Sequence, residues 1–230
     1  MTSPAPPSLE ACLFDLDGTL VDTLGDFEAA LGAMLEAHGR ARVSRAQIAR
    51  MVGRGTPALI AAALALEPDA PPLDAEAAQA LYLQHYFRIN GTHARVYAGA
   101  AEALAALHAR GLPLACVTNK PQEAARALLA QKGLAPFFAH IFGGESFARR
   151  KPDPLPLIEA CRALGSAPAH TLMVGDSAFD AQAAAAAGCP FALVAGGYAG
   201  DAPAGAIAAD WHLDNLAQLV GIFDGIKAPA

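Results

Sequence analysis

Apolar positions along the chain follow two different rhythms. Leu24, Phe27, Leu31, Met34 and Leu35 stand at the three- and four-residue spacing of one helical face. A helix is therefore predicted over 23–38, with Gly39 ending it. Ser44 suits the N-cap of a short helix reaching Met51, and Pro57 the first turn of another running to about Leu66. Asp74 can cap a further helix over 75–89, before the turn signal Asn90-Gly91. No strand is read between 23 and 96. From Gly99 the rhythm changes. Short apolar runs at 112–117, 141–142, 171–174 and 191–194 alternate with helical stretches at 100–110, 121–132 and 178–187, and with one ending at Leu164. A weak edge strand or turn follows at 211–213, then a closing helix at 216–223.

Together with an apolar run at 11–14, this alternation predicts an α/β fold built on a doubly wound parallel sheet. The all-helical stretch reads as an insert after the first strand. The expected division is a core of residues 1–22 and 97–230 and a helical cap of residues 23–96. No internal repeat is visible.

The first strand ends in chemistry. Cys12-Leu13-Phe14 runs into Asp15-Leu16-Asp17-Gly18-Thr19, and Asp is depleted in strands. A polar turn with a helix cap would account for the pattern. A second reading uses Gly18, which lets the chain turn so that both carboxylates border one crevice at the strand's carboxyl end. Ligands of open α/β sheets bind there. One carboxylate could attack phosphorus, the other could protonate the leaving oxygen and later activate water, and a hard cation such as Mg²⁺ suits such ligands.

The other polar candidates also fall at strand ends or just before helices. Thr118-Asn119 precedes Pro121, where a hydroxyl, an amide and a helix N-terminus can hold phosphate oxygens. Gly18 is placed with them at the phosphate. Lys151 abuts the rigid Pro152-Asp153-Pro154 turn and can offset negative charge. Asp176 follows an apolar strand, and Asp180 lies one helical turn later on the same side. Ordinary helix capping and a basic surface patch with Arg149 and Arg150 are the plainer readings of these pieces taken singly.

Composition narrows the field. The chain has 230 residues, 54% hydrophobic, enough for a large core. A formal net charge of -6 argues against non-specific nucleic-acid binding. An acidic protein that binds an anion must concentrate positive charge locally. The four cysteines are scattered without a C-x-x-C pair, which fits a reducing cytosol, and a cytoplasmic location is expected. The seven histidines show no metal-type pairing. The proline-rich start, residues 1–7, lacks the features of a signal peptide, and no run is long enough to span a membrane.

The four pieces Asp15-Leu16-Asp17-Gly18-Thr19, Thr118-Asn119, Lys151 and Gly175-Asp176 with Asp180 resemble, in order and spacing over almost the whole chain, the haloacid dehalogenase-like superfamily. The resemblance implies a sheet of order 5-4-1-2-3. It implies Mg²⁺ held by Asp15, Asp176 and the backbone carbonyl of Asp17, with Asp180 steadying the metal's water shell. It makes Asp15 the nucleophile, Asp17 the acid/base, and Thr118 and Lys151 ligands of phosphate and charge. It makes the helical insert a cap that closes over the site, hinged near Asp22 and Gly99.

Within the superfamily, Met51-Val52-Gly53-Arg54-Gly55, Val117-Thr118-Asn119-Lys120-Pro121, Lys151-Pro152-Asp153-Pro154 and Ala187-Gly188-Cys189-Pro190 resemble the phosphoglycolate phosphatase family. Arg54 is then expected to reach the substrate's carboxylate. Phe179 departs from the pattern, which often has Asn there. The expected function is Mg²⁺-dependent hydrolysis of 2-phosphoglycolate, by a monomer or homodimer. The alternative keeps the chemistry for another small phosphomonoester, a sugar phosphate or N-acetylmuramic acid 6-phosphate. A non-catalytic binding protein would not need all the acids and the lysine. Asp17 speaks against a dehalogenase.

Overall fold

The computed structural model describes residues 9–198 and 206–223; the proline-rich start lies outside them. In chain order the elements are β1 (Ala11–Phe14), β2 (Val21–Asp22), α1 (Leu24–Ala37), α2 (Arg45–Met51), α3 (Thr56–Leu64), α4 (Ala75–Ile89), β3 (Arg95–Val96), α5 (Ala100–Ala109) and β4 (Leu114–Val117). There follow α6 (Gln122–Gln131), β5 (His140–Phe142), α7 (Leu155–Leu164), β6 (Thr171–Gly175), α8 (Ala178–Ala187), β7 (Phe191–Val194), β8 (Trp211–Leu213) and α9 (Leu219–Phe223).

Six strands form one parallel sheet of order β5-β4-β1-β6-β7-β8. With β1, β4, β5, β6 and β7 taken as first to fifth, this is the order 5-4-1-2-3. β8 is added as a sixth strand outside β7. Alternation along β1 assigns its two faces. Cys12 and Phe14 pack with Leu104, Leu128 and Phe223 from α5, α6 and α9, while Leu13 packs with Leu157 of α7 and Ala183 of α8. Helices therefore cover both faces, and β1 lies between β4 and β6 with every side chain buried.

The helices α1 to α4 have an apolar cluster of their own, including Phe27, Leu31, Met34, Ile48, Leu59, Tyr82 and Tyr86. Local signals set their starts. Ser44 and Gln47 form a capping box on α2, and the Asp74 carboxylate accepts from the backbone N–H groups of Glu76 and Ala77. α3 stops at Leu64, two residues before the expected end.

One expectation is corrected. A strand does lie within 23–96: β3 pairs antiparallel with β2, with Val21 opposite Val96 and Asp22 opposite Arg95. Two-residue strands carry no readable alternation, and this pair forms only because the two linkers meet in space. The ribbon lies where the chain passes from β1 to the helices and back. It supports dividing the chain at 22/23 and 96/97, which remains our proposal.

A buried carboxylate pins this crossing. Asp26, fully buried at the start of α1, accepts from the backbone N–H of Gly91 at 2.6 Å and of His93 at 2.8 Å. Asp26→Ala strands these donors and should cost about 1–3 kcal/mol. A lower urea midpoint at unchanged slope is the expected reading.

Candidate active site

The sheet delivers the acids to one place. β1 and β6 are neighbours in register, Phe14 beside Val174, so Asp15 and Asp176 emerge near the same edge. α8 begins at once after β6, and its first turn brings Asp180 back toward them. Carboxylate oxygens of Asp15, Asp176 and Asp180 lie within 4.8 Å of one another. Gly18 explains part of this closeness. It has φ +91°, and a Cβ there would run into the Asp176 carboxylate. Gly18 thus sits against Asp176 and is not among the residues lining the cavity.

Each acid has distinct partners. Asp176 accepts from the Thr19 hydroxyl at 2.6 Å and from the Tyr198 backbone N–H at 2.6 Å. Asp180, fully buried, accepts from the Ser177 backbone N–H at 3.1 Å and the Ser177 hydroxyl at 2.6 Å. Asp17 turns the other way: its Oδ1 accepts from the Thr23 hydroxyl at 2.8 Å and from Lys120 Nζ at 2.9 Å. The two acids of the first stretch therefore face different neighbours, as different roles require.

Lys151 underlies the cluster. Its Nζ donates to the Val117 carbonyl at 2.7 Å and to Asp180 at 2.7 Å, and lies 3.0 Å from Asp15 Oδ1. Burial disfavours its ammonium, but the Asp15 and Asp180 carboxylates hold its pKa above the ordinary value. Burial pushes Asp15 up to about 6 against the opposing pull of Lys151. Burial likewise raises Asp176, and the neighbouring Asp180 and Asp15 add to it.

Crowded, buried carboxylates with raised pKa values suit a cation. Asp15 Oδ1 is buried and accepts no aligned hydrogen bond, although Lys151 is close. The donors are all hard oxygens, the preference of Mg²⁺. Three carboxylates, those of Asp15, Asp176 and Asp180, face one ammonium group, that of Lys151. One divalent cation would balance that charge.

The acids Asp15, Asp17 and Asp180 open on a cavity of about 40 Å³, closed on the cap side by Phe27, Leu59, Tyr82 and Tyr86. Thr118 is buried and lines it. Asn119 also borders it, but its amide donates to the carbonyls of Gly53 at 2.7 Å and Lys151 at 2.8 Å. It ties the cap loop to the lysine turn. Arg54 is not brought into the lining: it is exposed, with Cζ 5.4 Å from the Phe179 ring centroid. Phe179 lines the cavity and meets the cap loop, where a Cβ on Gly53 would lie 3.0 Å from its ring. The capping box between Ser177 and Asp180 is intact beside it, so the departure at Phe179 leaves the loop's acids in place.

Sequence reasoning gave no role to Lys120, Thr19, Thr23 or Tyr198. Lys120 carried a usable signal: it follows the same strand end as Thr118. Tyr198 carried none, since its contacts at Thr23 and Asp176 are set by the fold.

A parallel α/β core with acids and a lysine at its strand ends, covered by a helical cluster, defines a hydrolase class. The sequence pattern of the haloacid dehalogenase-like hydrolases matches residues 9–188, and the chain belongs to that family. Within it the chain lies among the phosphoglycolate phosphatases. It is 42% identical over 221 residues to the plasmid phosphoglycolate phosphatase of Cupriavidus necator, covering 96% of each chain. It is 40% identical over 215 residues to that of Thiobacillus denitrificans, covering 93% of this chain and 95% of the relative. The crystal structure of a predicted phosphoglycolate phosphatase from Haemophilus somnus superposes with a TM-score of 0.90 at 29% identity, covering 94% of this chain and 98% of that one. The protein is thus an enzyme, a phosphoric monoester hydrolase. Among the described residues no helix is long and apolar enough to cross a membrane.

Proposed function

We propose that the protein is a Mg²⁺-dependent phosphatase that hydrolyses 2-phosphoglycolate to glycolate and phosphate through an aspartyl phosphate. The observation that carries this reading is the convergence of Asp15, Asp176, Asp180 and Lys151 in one cluster, with Asp15, Asp180 and Lys151 lining a cavity beneath the cap. Asp15 and Asp176, with the backbone carbonyl of Asp17, would hold Mg²⁺, and Asp180 would orient its water. When bound, Mg²⁺ offsets the repulsion between the attacking carboxylate and the phosphoryl oxygens.

An Asp15 carboxylate oxygen forms a bond to phosphorus as the bond from phosphorus to the glycolate oxygen breaks. Asp17 gives its proton to that leaving oxygen. Asp17 then takes a proton from water as the water oxygen attacks phosphorus. The Asp15–phosphorus bond breaks, and phosphate and the free carboxylate result. Lys151 and Thr118 steady the phosphoryl charge. Thr23, at the entry to the cap, and Lys120 hold the Asp17 carboxylate for its two proton transfers.

The small cavity supports a small substrate. 2-Phosphoglycolate would enter with some opening of the cap, and a sugar phosphate or N-acetylmuramic acid 6-phosphate would need more. The names of the relatives support the particular ester.

Phosphate release from a panel of phosphomonoesters tests the reading. The expected result is 2-phosphoglycolate leading in kcat/KM, with turnover abolished by EDTA and restored by Mg²⁺. A leading sugar phosphate would reassign the substrate, and metal-independent turnover would overturn the Mg²⁺ reading.

A further inference from the structure

Two cations line the cavity, Lys151 and Lys120, and they are employed differently. Lys151 spends its donors on Asp180 and the Val117 carbonyl, beside Asp15. It belongs to the phosphoryl end. Lys120 is on the side closed by the helical cluster. Its Nζ lies 4.9 Å from the Phe27 ring centroid and 4.7 Å from that of Tyr86, and it contacts the Tyr86 hydroxyl. Phe27 and Tyr86 stack at 5.6 Å, so the ammonium rests against a firm aromatic wall. The Lys120 side chain is 2% exposed. A buried ammonium in such surroundings is costly to keep unless it has anionic partners. Asp17 supplies one, with Oδ1 at 2.9 Å and Oδ2 at 3.2 Å, so that a substrate carboxylate would share the ammonium with Asp17 by displacing the longer of these two contacts.

We infer that Lys120, with the Tyr86 hydroxyl beside it, receives the carboxylate of the substrate and so selects phosphomonoesters that carry a second anionic group close to the phosphate. The inference rests on the 2-phosphoglycolate reading and deepens it. The chemistry of the substrate requires a group in this place. In 2-phosphoglycolate the leaving oxygen is joined to the carboxylate carbon through a single CH₂. The group that protonates the leaving oxygen and the group that reads the carboxylate must therefore be neighbours. Asp17 is the first, and Lys120 is the cation in contact with it. Arg54, the cation expected from sequence, is exposed, stacks on Phe179, and is absent from the lining. The short spacer also makes Lys120 a measuring device: a longer acid would carry its carboxylate past the ammonium.

The test compares 2-phosphoglycolate with ethyl phosphate, which has the same two-carbon length and no carboxylate. In the full-length protein, Lys120→Met should lower kcat/KM for both substrates, because Lys120 also holds Asp17, and should lower that for 2-phosphoglycolate about 10–10²-fold further than that for ethyl phosphate. The preference for the acid collapses. Tyr86→Phe removes only a hydroxyl, keeps the ring stack, and should reduce the preference by roughly three- to ten-fold. It serves as the test if Lys120→Met fails to fold. Arg54→Gln should leave the ratio of the two substrates unchanged. Equal losses on both substrates in Lys120→Met would overturn the inference and assign Lys120 to Asp17 alone. Collapse of the ratio in Arg54→Gln would overturn it in favour of Arg54. A wild-type protein that turns over ethyl phosphate as well as 2-phosphoglycolate would overturn the substrate reading itself, and the inference with it.

Discussion

Asp15→Asn protein is expected to fold and to release phosphate from 2-phosphoglycolate at least roughly 10⁴-fold more slowly than the wild type. The amide cannot form the bond to phosphorus, and the other carboxylates lining the cavity are engaged elsewhere, Asp17 with Thr23 and Lys120 and Asp180 with Ser177 and Lys151. Thr118 lines the cavity too, but its hydroxyl lacks a base and accepts from the Lys120 backbone N–H at 3.3 Å. Stability should move the other way. Burial raises the Asp15 carboxyl from 3.8 to about 6, so its ionised form is disfavoured in the folded protein. The sign follows from linkage. A carboxyl raised on folding contributes stability that is complete below its unfolded value near 3.8 and is lost as pH rises through about 6. In metal-free protein, Asp15→Asn should therefore raise the melting temperature relative to wild type at pH 7.5, with the difference shrinking toward pH 4. Phosphate release and thermal melts at the two pH values check both halves. Full turnover by the Asn variant would remove Asp15 as the nucleophile.

Lys151→Met should harm stability and turnover together. Lys151 is buried and holds Asp15 and Asp180, two carboxylates whose charges otherwise repel. Removing one partner of a buried ion pair costs about 3–5 kcal/mol, because the remaining charge has lost its compensation. Two carboxylates are exposed to that loss here, so the metal-free variant should melt well below wild type. Mg²⁺ should recover part of the difference by supplying counter-charge to the same acids. Turnover should fall by roughly 10²–10³-fold even in the Mg²⁺-loaded variant, since the phosphoryl group loses a fixed positive neighbour. A titration of melting temperature with Mg²⁺, beside kcat at saturating Mg²⁺, separates these effects. Unchanged melting without metal would mean that the buried triad is not an ion-pair network.

Much of the fold was open to inspection in the chain. The period-two and period-3.6 patterns are local properties, so β1, α4, α5, α8 and β7 stand within a residue of their expected bounds. Caps are local as well, and Ser44, Asp74 and Ser177 act where polar residues precede apolar periodicity. The acids at 15, 17 and 176 were visible because polar residues abruptly following buried strands are unusual in any chain, Asp180 because it lies one helical turn after Asp176, and Lys151 because it abuts a proline turn. A parallel sheet then collects strand ends at one edge, so residues far apart in sequence come to share a crevice.

What stayed hidden depends on surfaces meeting. The β2–β3 ribbon is two residues a side and exists only through the pairing of two linkers. Asp26 reads as an ordinary first-turn acid until Gly91 and His93 are found on its carboxylate. Arg54 and Lys120 are both cations beside glycine or polar residues, and nothing local says which one enters the cavity. The closing of the cap loop on Phe179 turns Arg54 outward, while the stack of Phe27 and Tyr86 encloses Lys120. Strand identity and the acids at strand ends follow from short-range patterning that a one-dimensional reading captures. The assignment of charges to partners follows from burial and distance, which are properties of packed elements far apart in the chain.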